Sequence, residues 1–358
     1  MHNKKHLGFS GLRKMVSKRF FQVEDRRDAD KTEYRLHDFF MTGFAMMYFQ
    51  DPSLLTFQRR LQKGCNSNNL KTMFNIESIP KDTQLRDILD QAPMDKLALI
   101  FSDYLHQVQR NKYLEHYQFL DGRYLIPIDG SQYFSSKKLC CPGCLTKKSK
   151  GKIRYHHQIL QAVIVHPDMK QVLPLAPESI QNKDGLTKQD CEINAGKRYV
   201  YEWINQVPLN GSETADEINF FQFKIINKAG KVTYKNSWVT DIPITKSNIR
   251  DLVKGGRARW KIENETFNTL KNQGYHIEHN FGHGKKNLSM TFFMLNLLAF
   301  YSHQILELTD LLYQRCRQDF SSRKEFWNQI RCTFRFMIFK NWETMIEQII
   351  GPPDFMPP

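Results

Sequence analysis

The sequence has little that would direct it into or across a membrane. Its first residues, MHNKKHLGFSGLRKMVSKRFF, are basic but lack the apolar core of a secretory signal peptide. The longest apolar stretch, residues 288–308, is interrupted by Asn296, Ser302, His303 and Gln304. Such polar groups are costly in lipid but are tolerated in a protein core when they are hydrogen-bonded. We therefore expect this stretch to form a buried helix and not a membrane span.

Cysteines and acidic residues are also scarce. Seven scattered cysteines in 358 residues do not suggest a disulfide framework and fit reduced thiols in a cytosol. Asp and Glu number 37 against 52 Lys and Arg, which gives a formal net charge of +15 at pH 7. A positive excess of this size favours polyanionic partners, of which nucleic acid is the commonest.

The apolar pattern predicts an α/β fold with helices at both ends of the chain and strands between them. Residues 1–120 form a basic N-terminal helical region, which either docks on DNA or only packs, and residues 291–358 form a C-terminal helical region. Between them we expect strands at 124–129, 153–166, 171–175, 220–226 and 231–242, with a helix from about Lys188 to Trp203. The first strand would deliver Asp129 at its end, and ligand sites in such folds lie at strand ends.

Residues 257–284, RARWKIENETFNTLKNQGYHIEHNFGHG, contain an amphipathic helical pattern. At about 100° per residue, one apolar face carries Trp260, Ile262, Thr266, Phe267 and Leu270. Arg259 and Glu263 fall on the same face, where a carboxylate is costly unless it is paired or metal-bound. Two interpretations stay open. Glu263 forms a buried ion pair with Arg259, or it binds a divalent metal while Arg259 orients it or holds a phosphate.

Cysteine and histidine residues form two further patterns. Residues 140–144, CCPGC, contain CxxC spacing without a second pair at zinc-binding distance, and His156, His157 or Cys191 could complete a site only through the fold. His276, His279 and His283 have metal-like spacing, but Gly282 and Gly284 prevent one helical face from holding all three. The sequence alone therefore favours reduced thiols over zinc, and a histidine loop that closes over a site or contacts DNA phosphate.

A basic run lies beside the cysteines. It comprises Lys147, Lys148, Lys150, Lys152 and Arg154. The run fits non-specific phosphate contact, and it equally fits a solvated hairpin with no partner.

Several stretches, in collinear order, resemble bacterial insertion-sequence transposases of the DDE superfamily. They are PSLLTF at 52–57, IPKDTQLRDILD at 79–90, IDGSQYFSS at 128–136, HQILQAVIVHP at 157–167, LPLAPESI at 173–180 and the RWKIENE…GYHIEHNFGHG run. The Arg-Trp-x-Ile-Glu element at 259–263 is the most specific of these, because such transposases place their last acidic residue on a helix after an Arg-Trp pair.

The resemblance implies an RNase H-like mixed-sheet core over residues 121–290, with a β-rich insertion at about 205–245. It implies cut-and-paste transposition by two-metal phosphoryl transfer with Mg²⁺ or Mn²⁺, with Asp129 and Glu263 as catalytic metal ligands. Arg259 and Lys271 would contact DNA near this site, and Lys147 and Lys148 would contact it on the hairpin. The expected partners are double-stranded transposon ends and target DNA, bound by a homodimer in a bacterial cytoplasm and associated with the nucleoid.

The sequence departs from the family at the middle carboxylate. A strand ending in Asp is expected after the helix that begins near Lys188, but residues 196–199 run almost directly into residues 201–209. This indicates an internal deletion near 198–201. Two alternatives to an active transposase follow, namely a catalytically dead DNA-binding remnant and a structure-selective nuclease of the same fold.

Overall fold

The computed structural model describes residues 6–25, 27–61, 64–149, 152–180, 198–208, 217–226 and 231–351. The chain divides into two compact units. Unit 1 contains Met1–Gln118, Tyr124–Asn182 and Trp260–Pro358, and unit 2 contains Phe119–Arg123 and Lys183–Arg259. The expected α/β class, with helical segments at both ends of the chain, is confirmed.

Helices make up most of the N- and C-terminal segments, and one further described helix lies in unit 2. In chain order, the described helices are α1 (Phe9–Phe21), α2 (Leu36–Tyr48), α3 (Leu54–Leu61), α4 (Gly64–Asn69), α5 (Asp82–Leu89), α6 (Met94–Arg110), α7 (Ile249–Arg257, in unit 2), α8 (Thr269–Asn272), α9 (Leu288–Thr309), α10 (Leu311–Gln318), α11 (Arg323–Phe336) and α12 (Trp342–Ile350). Two π-helical segments, Leu70–Phe74 and Ile262–Asn268, and two short 3₁₀ segments, Ala29–Lys31 and Tyr113–Tyr117, accompany them.

Helix α9 is the centre of the core of unit 1 and packs against α2, which is itself almost entirely buried. The polar residues that interrupt its sequence are buried and hydrogen-bonded. The Asn296 amide donates to the Tyr275 carbonyl over 2.7 Å, and His303 Nδ1 lies 2.6 Å from the Tyr275 hydroxyl. Gln304 Oε1 accepts from the Val172 amide over 3.0 Å. The prediction of a buried helix is confirmed, and no helix in the described part of the chain has the length and apolarity to cross a bilayer.

The five-stranded sheet of unit 1 is built around one long central strand. Its strands are β3 (Ile128–Ser136), β4 (Leu145–Ser149), β5 (Lys152–Ile164), β6 (Leu173–Pro174) and β7 (Glu178–Ile180), preceded by a hairpin of β1 (Gln118–Phe119) and β2 (Arg123–Tyr124). β3 pairs along one edge of β5, and β4, β7 and β6 pair along the other. All the described strand pairs are antiparallel, and the expected RNase H-like core is not confirmed.

A bulge in β3 turns two neighbouring aromatic rings to the same side. Gln132 pairs with Gln158 and Phe134 pairs with His157, so Tyr133 is an extra residue in the ladder. A bulge interrupts the strict alternation of a strand. Tyr133 and Phe134 are therefore both buried although they are adjacent, and both rings lie near His157.

Unit 2 contains a three-stranded antiparallel sheet of β8 (Arg198–Pro208), β9 (Glu217–Ile226) and β10 (Val232–Thr240), with β9 in the middle. Alternate residues of β9, namely Phe221, Phe223 and Ile225, are buried in a cluster with Ile249, Leu252 and Val253 of α7. The predicted pair of strands at 220–226 and 231–242 is confirmed, while its turn at 229–230 lies outside the described residues.

The predicted helix from Lys188 to Trp203 is wrong over its second half. Residues Arg198–Trp203 belong to β8, and the preceding part lies outside the described residues. The segment RYVYEWINQVP is rich in aromatic and β-branched residues, which favour a strand, and it pairs with β9. Residues 198–201, where a deletion was inferred, lie at the start of this strand.

Asp90 fixes the start of α9 and the segment before it. Its Oδ1 accepts from the amides of Lys286, Asn287 and Leu288 at 2.9 Å each, and its Oδ2 accepts from that of Lys285 at 2.8 Å. Burial raises the pKa of Asp90, but the four backbone hydrogen bonds outweigh it and the pKa is lowered overall. The ionised carboxylate thus satisfies amides that a helix N-terminus leaves unpaired.

We expect Asp90→Ala to lower the free energy of unfolding by about 3 kcal/mol, because one buried and three partly buried amides lose a charged acceptor. Urea denaturation followed by circular dichroism measures this loss. Asp90→Asn keeps one acceptor oxygen and should retain part of the stability. Asp95→Ala, at a carboxylate whose side chain is 73% exposed, is the control. Equal stabilities for the Asp90 and Asp95 alanine variants would show that the contact is not stabilising.

Candidate functional site

The segment expected to form one regular helix around Glu263 is irregular. α7 ends at Arg257, residues 258–259 form a turn, and Glu263 lies in the π-helix Ile262–Asn268. Hydrogen bonds in a π-helix run from i to i+5, so a 100° step per residue does not hold there. Ile262, Thr266, Phe267 and Leu270 are buried as predicted. The placement of Trp260, which is 38% exposed, and of Arg259, which is exposed, on the buried face was wrong.

Asp129 lies inside a β-ladder and not at the end of a strand. Leu125 already pairs with Val165, and the Pro127 carbonyl accepts from the Val163 amide over 3.2 Å, so pairing begins before Asp129. The prediction that a strand ends at this residue was wrong. The Asp129 side chain is half-buried, and its Oδ1 accepts from the Gly130 amide over 2.8 Å.

The residue opposite Asp129 on β5 is Gln161, which is fully buried. Its Nε2 donates to the carbonyls of Ala162 at 2.7 Å and Leu175 at 2.9 Å, while its Oε1 has no hydrogen-bond partner among the described residues. Side chains of directly paired residues lie on the same face of a sheet. An unsatisfied buried acceptor therefore lies beside Asp129.

β3 contacts the π-helix that carries Glu263, so the elements bearing the two predicted metal ligands pack against each other within unit 1. Among the described residues, however, neither carboxylate belongs to a group of three His, Cys, Asp or Glu side chains whose ligand atoms converge. The middle carboxylate that the resemblance implies has no counterpart there.

The predicted DNA-contacting residues lie on different elements of the chain. Arg259 is exposed in unit 2, and the Lys271 ammonium forms an ion pair with Glu278 at 3.0 Å. Lys147 and Lys148 are exposed on β4, which forms an antiparallel hairpin with β5. Lys147 stands directly opposite Arg154, and neither forms an ion pair within the described residues.

Four side chains in unit 1 converge on one point. Cys141, Cys144, His157 and His283, here called the Cys/His cluster, each offer one ligand atom, and these atoms all lie within 4.8 Å of one another. The two Sγ atoms are 3.9 Å apart, and His157 Nε2 lies 3.4 Å from each of them. His283 Nε2 lies 3.6 Å from Cys144 Sγ. The cluster could hold a metal ion.

A tight turn sets the two thiols side by side. The Cys144 amide donates to the Cys141 carbonyl over 3.0 Å, and Pro142 and Gly143 occupy the two central positions. Pro and Gly are favoured in such turns. The Cys141 amide donates to Cys144 Sγ over 3.3 Å, so the turn also supplies a hydrogen bond to one sulfur.

Two glycines place His283 in the cluster. Gly282 and Gly284 have φ angles of +154° and +65°, which side-chain-bearing residues rarely adopt. A Cβ on Gly284 would lie 2.3 Å from Asp90 Oδ1 and 2.5 Å from Leu288 Cβ. The chain can therefore pass between Asp90 and α9, with His283 turned toward β5, only if these positions are glycine.

Aromatic rings enclose the two histidines. Phe134 stacks on His283 with ring centroids 4.4 Å apart, and Tyr133 stacks on His157 at 5.8 Å. Burial lowers the pKa of His157 to about 4 and also lowers that of His283. Burial likewise raises the pKa of the Cys144 thiol to about 12. Burial thus disfavours the charged forms of His157, His283 and the Cys144 thiol, which leaves the imidazole lone pairs available to a metal.

The sequence pointed to some members of this cluster without assembling them. Cys140 is exposed and outside it, His156 is buried but not part of it, and Cys191 lies outside the described residues. His276 and His279 are exposed. Cys144 and His283 are 139 residues apart, so no local spacing relates them. The preference for unligated thiols is not supported, and the cluster contains no carboxylate that would favour Mg²⁺.

No family model, curated protein or solved structure matches this chain. Its function is therefore inferred from its residues and their geometry.

We expect Gly284→Ala to destabilise the protein by about 1–3 kcal/mol, because it combines a strained φ with a clash against Asp90 and Leu288. Gly143→Ala is the matched control within the same site, since its Cβ would meet no atom closer than 3.7 Å. Thermal unfolding of both variants measures the difference. Equal melting temperatures would contradict the role assigned to Gly284.

Proposed function

We propose that this protein is a DNA-binding protein of the DDE transposase type that contacts duplex DNA through the β4–β5 hairpin. The observation that carries this proposal is the pair of cations, Lys147 and Arg154, which face each other on that hairpin and form no ion pair among the described residues. Like charges directly opposite each other destabilise a sheet. Phosphate groups of a nucleic acid bound beside the two cations would offset their repulsion, since each cation is attracted to the phosphates.

The residues around Lys147 and Arg154 also support DNA binding by the hairpin. Lys148 and Lys152 are also exposed on the hairpin, and the whole chain carries a net charge of +15. Contacts of lysine and arginine with phosphates release condensed counterions, which gives affinity without sequence specificity. Recognition of particular transposon ends would need further residues that read base edges.

We expect Lys147→Gln/Lys148→Gln to weaken duplex binding and to reduce the slope of log K against log salt by about 2, since each lost phosphate contact contributes about 0.9. Fluorescence anisotropy with a labelled duplex at several salt concentrations measures both quantities.

The control for this experiment is Lys324→Gln/Lys340→Gln, which removes the same charge from exposed positions of the C-terminal segment. An equal fall in affinity for both double variants would mean that net charge alone governs binding. The hairpin would then have no special role.

A second candidate function is metal-dependent phosphoryl transfer at Asp129 and Glu263. It is favoured by the contact between β3 and the π-helix and by the unsatisfied Gln161 Oε1 beside Asp129. Carboxylate and amide oxygens are the ligands that Mg²⁺ prefers, and a site with few protein ligands relies on substrate phosphates to complete its shell. Such a site would bind its metal only together with DNA.

If this second function is correct, the protein will cleave a labelled element-end duplex in Mn²⁺, and Asp129→Asn and Glu263→Gln will each abolish cleavage while DNA binding persists. Asp241→Asn, at an exposed carboxylate in unit 2, should cleave like the parent. Gel electrophoresis of the products provides the measurement.

The products distinguish three kinds of protein. Cleavage followed by joined ends identifies a transposase, and nicks without joined products identify a nuclease of the same site. DNA binding without any cleavage identifies a DNA-binding remnant and refutes phosphoryl transfer. Cleavage that survives both substitutions refutes the assignment of Asp129 and Glu263.

A further inference from the structure

The atoms of the Cys/His cluster stand at the distances that one tetrahedral zinc ion imposes. Zn–S bonds of about 2.3 Å and Zn–N bonds of about 2.0–2.1 Å place two sulfurs about 3.8 Å apart and a sulfur and a nitrogen about 3.5 Å apart. The sulfurs are 3.9 Å apart, three of the four sulfur–nitrogen distances are 3.4, 3.4 and 3.6 Å, and all four ligand atoms lie within 4.8 Å of one another. We propose that Cys141, Cys144, His157 and His283 bind one Zn²⁺.

The chemistry of the four side chains selects this metal. Thiolate and imidazole suit zinc, whereas hard cations such as Mg²⁺ require oxygen ligands. Two thiolates balance the charge of Zn²⁺, so the site carries no net charge where Cys141, His157 and His283 are buried. The cysteines are free thiols, and their separation is far from the S–S bond of about 2.0 Å in a disulfide.

The site is structural and not catalytic. Four protein ligands fill a tetrahedral shell and leave no position for water or substrate. The hydrogen bond from the Cys141 amide to Cys144 Sγ stabilises a thiolate, as outer-shell donors do at metal sites. The flanking rings of Tyr133 and Phe134 hold the imidazoles in orientation and limit access of water to the ion.

Zinc would join three segments that are distant in sequence. Cys144 immediately precedes β4, His157 lies on β5 and His283 lies between the π-helix of Glu263 and α9. One ion therefore fixes the base of the basic β4–β5 hairpin to the segment that follows the Glu263 helix, all within unit 1. This inference does not depend on DNA being the partner of the hairpin.

Metal analysis of the full-length protein, purified without chelators, tests the proposal. Inductively coupled plasma mass spectrometry should find one zinc per chain in the parent and in Cys140→Ser, which alters the exposed neighbouring thiol. Cys141→Ser and Cys144→Ser should each retain at most about one tenth of the zinc that the parent protein contains. Zinc absent from the parent, or present equally in Cys140→Ser and Cys144→Ser, would overturn the assignment.

A second measurement needs no variant and therefore does not depend on a variant folding. Co²⁺ added to the metal-free parent should give the intense visible bands of a tetrahedral ion together with thiolate-to-cobalt charge transfer in the near ultraviolet. Zn²⁺ should displace it in a one-to-one titration. A weak octahedral spectrum without charge transfer would refute the Cys₂His₂ site.

Hydrogen exchange measured by mass spectrometry tests the structural role. Removal of zinc should increase amide exchange in residues 141–157 and 280–285, while the β8–β10 sheet of unit 2 exchanges as before. Unchanged exchange in the first two segments would show that the ion does not tie the hairpin to the His283 segment.

Discussion

The hydrogen bonds made by buried polar side chains of α9 are the constraint on which the rest of unit 1 depends. A helix this apolar could rotate or slide among apolar neighbours at little cost, but an unpaired amide or imidazole in the core is expensive. Asn296 and His303 both bind Tyr275, Gln304 binds the Val172 amide, and Ser302 bonds with Tyr104 of α6. These bonds fix the rotation of α9 and, with it, the elements that surround the sheet.

This arrangement of α9 positions two candidate sites, namely the one at Asp129 and Glu263 and the Cys/His cluster. Tyr275 lies on the segment between the π-helix and His283, and Asp90 holds the next residues at the start of α9. The backbone from Tyr275 to Leu288 is thus held by α9 at Tyr275 and by Asp90 at residues 285–288. The contact of the π-helix with β3 and the approach of His283 to β5 both follow from these attachments.

The two sites differ in the type of ligand atom and in the kind of metal ion that they suit. The Cys/His cluster is enclosed, and its thiolate and imidazole ligands are softer than carboxylates. These four ligands suit a structural metal ion that holds segments together. The surroundings of Asp129 and Gln161 are rich in oxygen, and a hard cation there would need a substrate to complete its shell. The basic hairpin begins at the first site and not beside Asp129 and Gln161.

Several features could be predicted from the sequence because they depend on local pattern. The apolar run broken by polar residues indicated a buried α9, a run rich in β-branched residues indicated β5, and two apolar segments around an Ala-Gly turn indicated β9 and β10. Local pattern misled where a regular period did not apply. The turn at 258–259 and the π-helix at Ile262–Asn268 interrupted the regular period, and Trp260 and Arg259 are exposed. β8 formed where a helix was expected, since its aromatic and β-branched residues pair with β9.

The sequence by itself determined the helix-rich α/β class, the excess of positive charge and the Cys-Pro-Gly-Cys turn, since each depends on composition or on neighbours in the chain. Only the tertiary structure decided that Cys144 would meet His283 across 139 residues, and that Gln161 would lie buried beside Asp129. Spacing along the chain carries no information about such contacts between residues that are distant in sequence. They result from the bulge in β3, the two glycines beside His283 and the hydrogen bonds of α9, which together determine where distant segments of the chain come into contact.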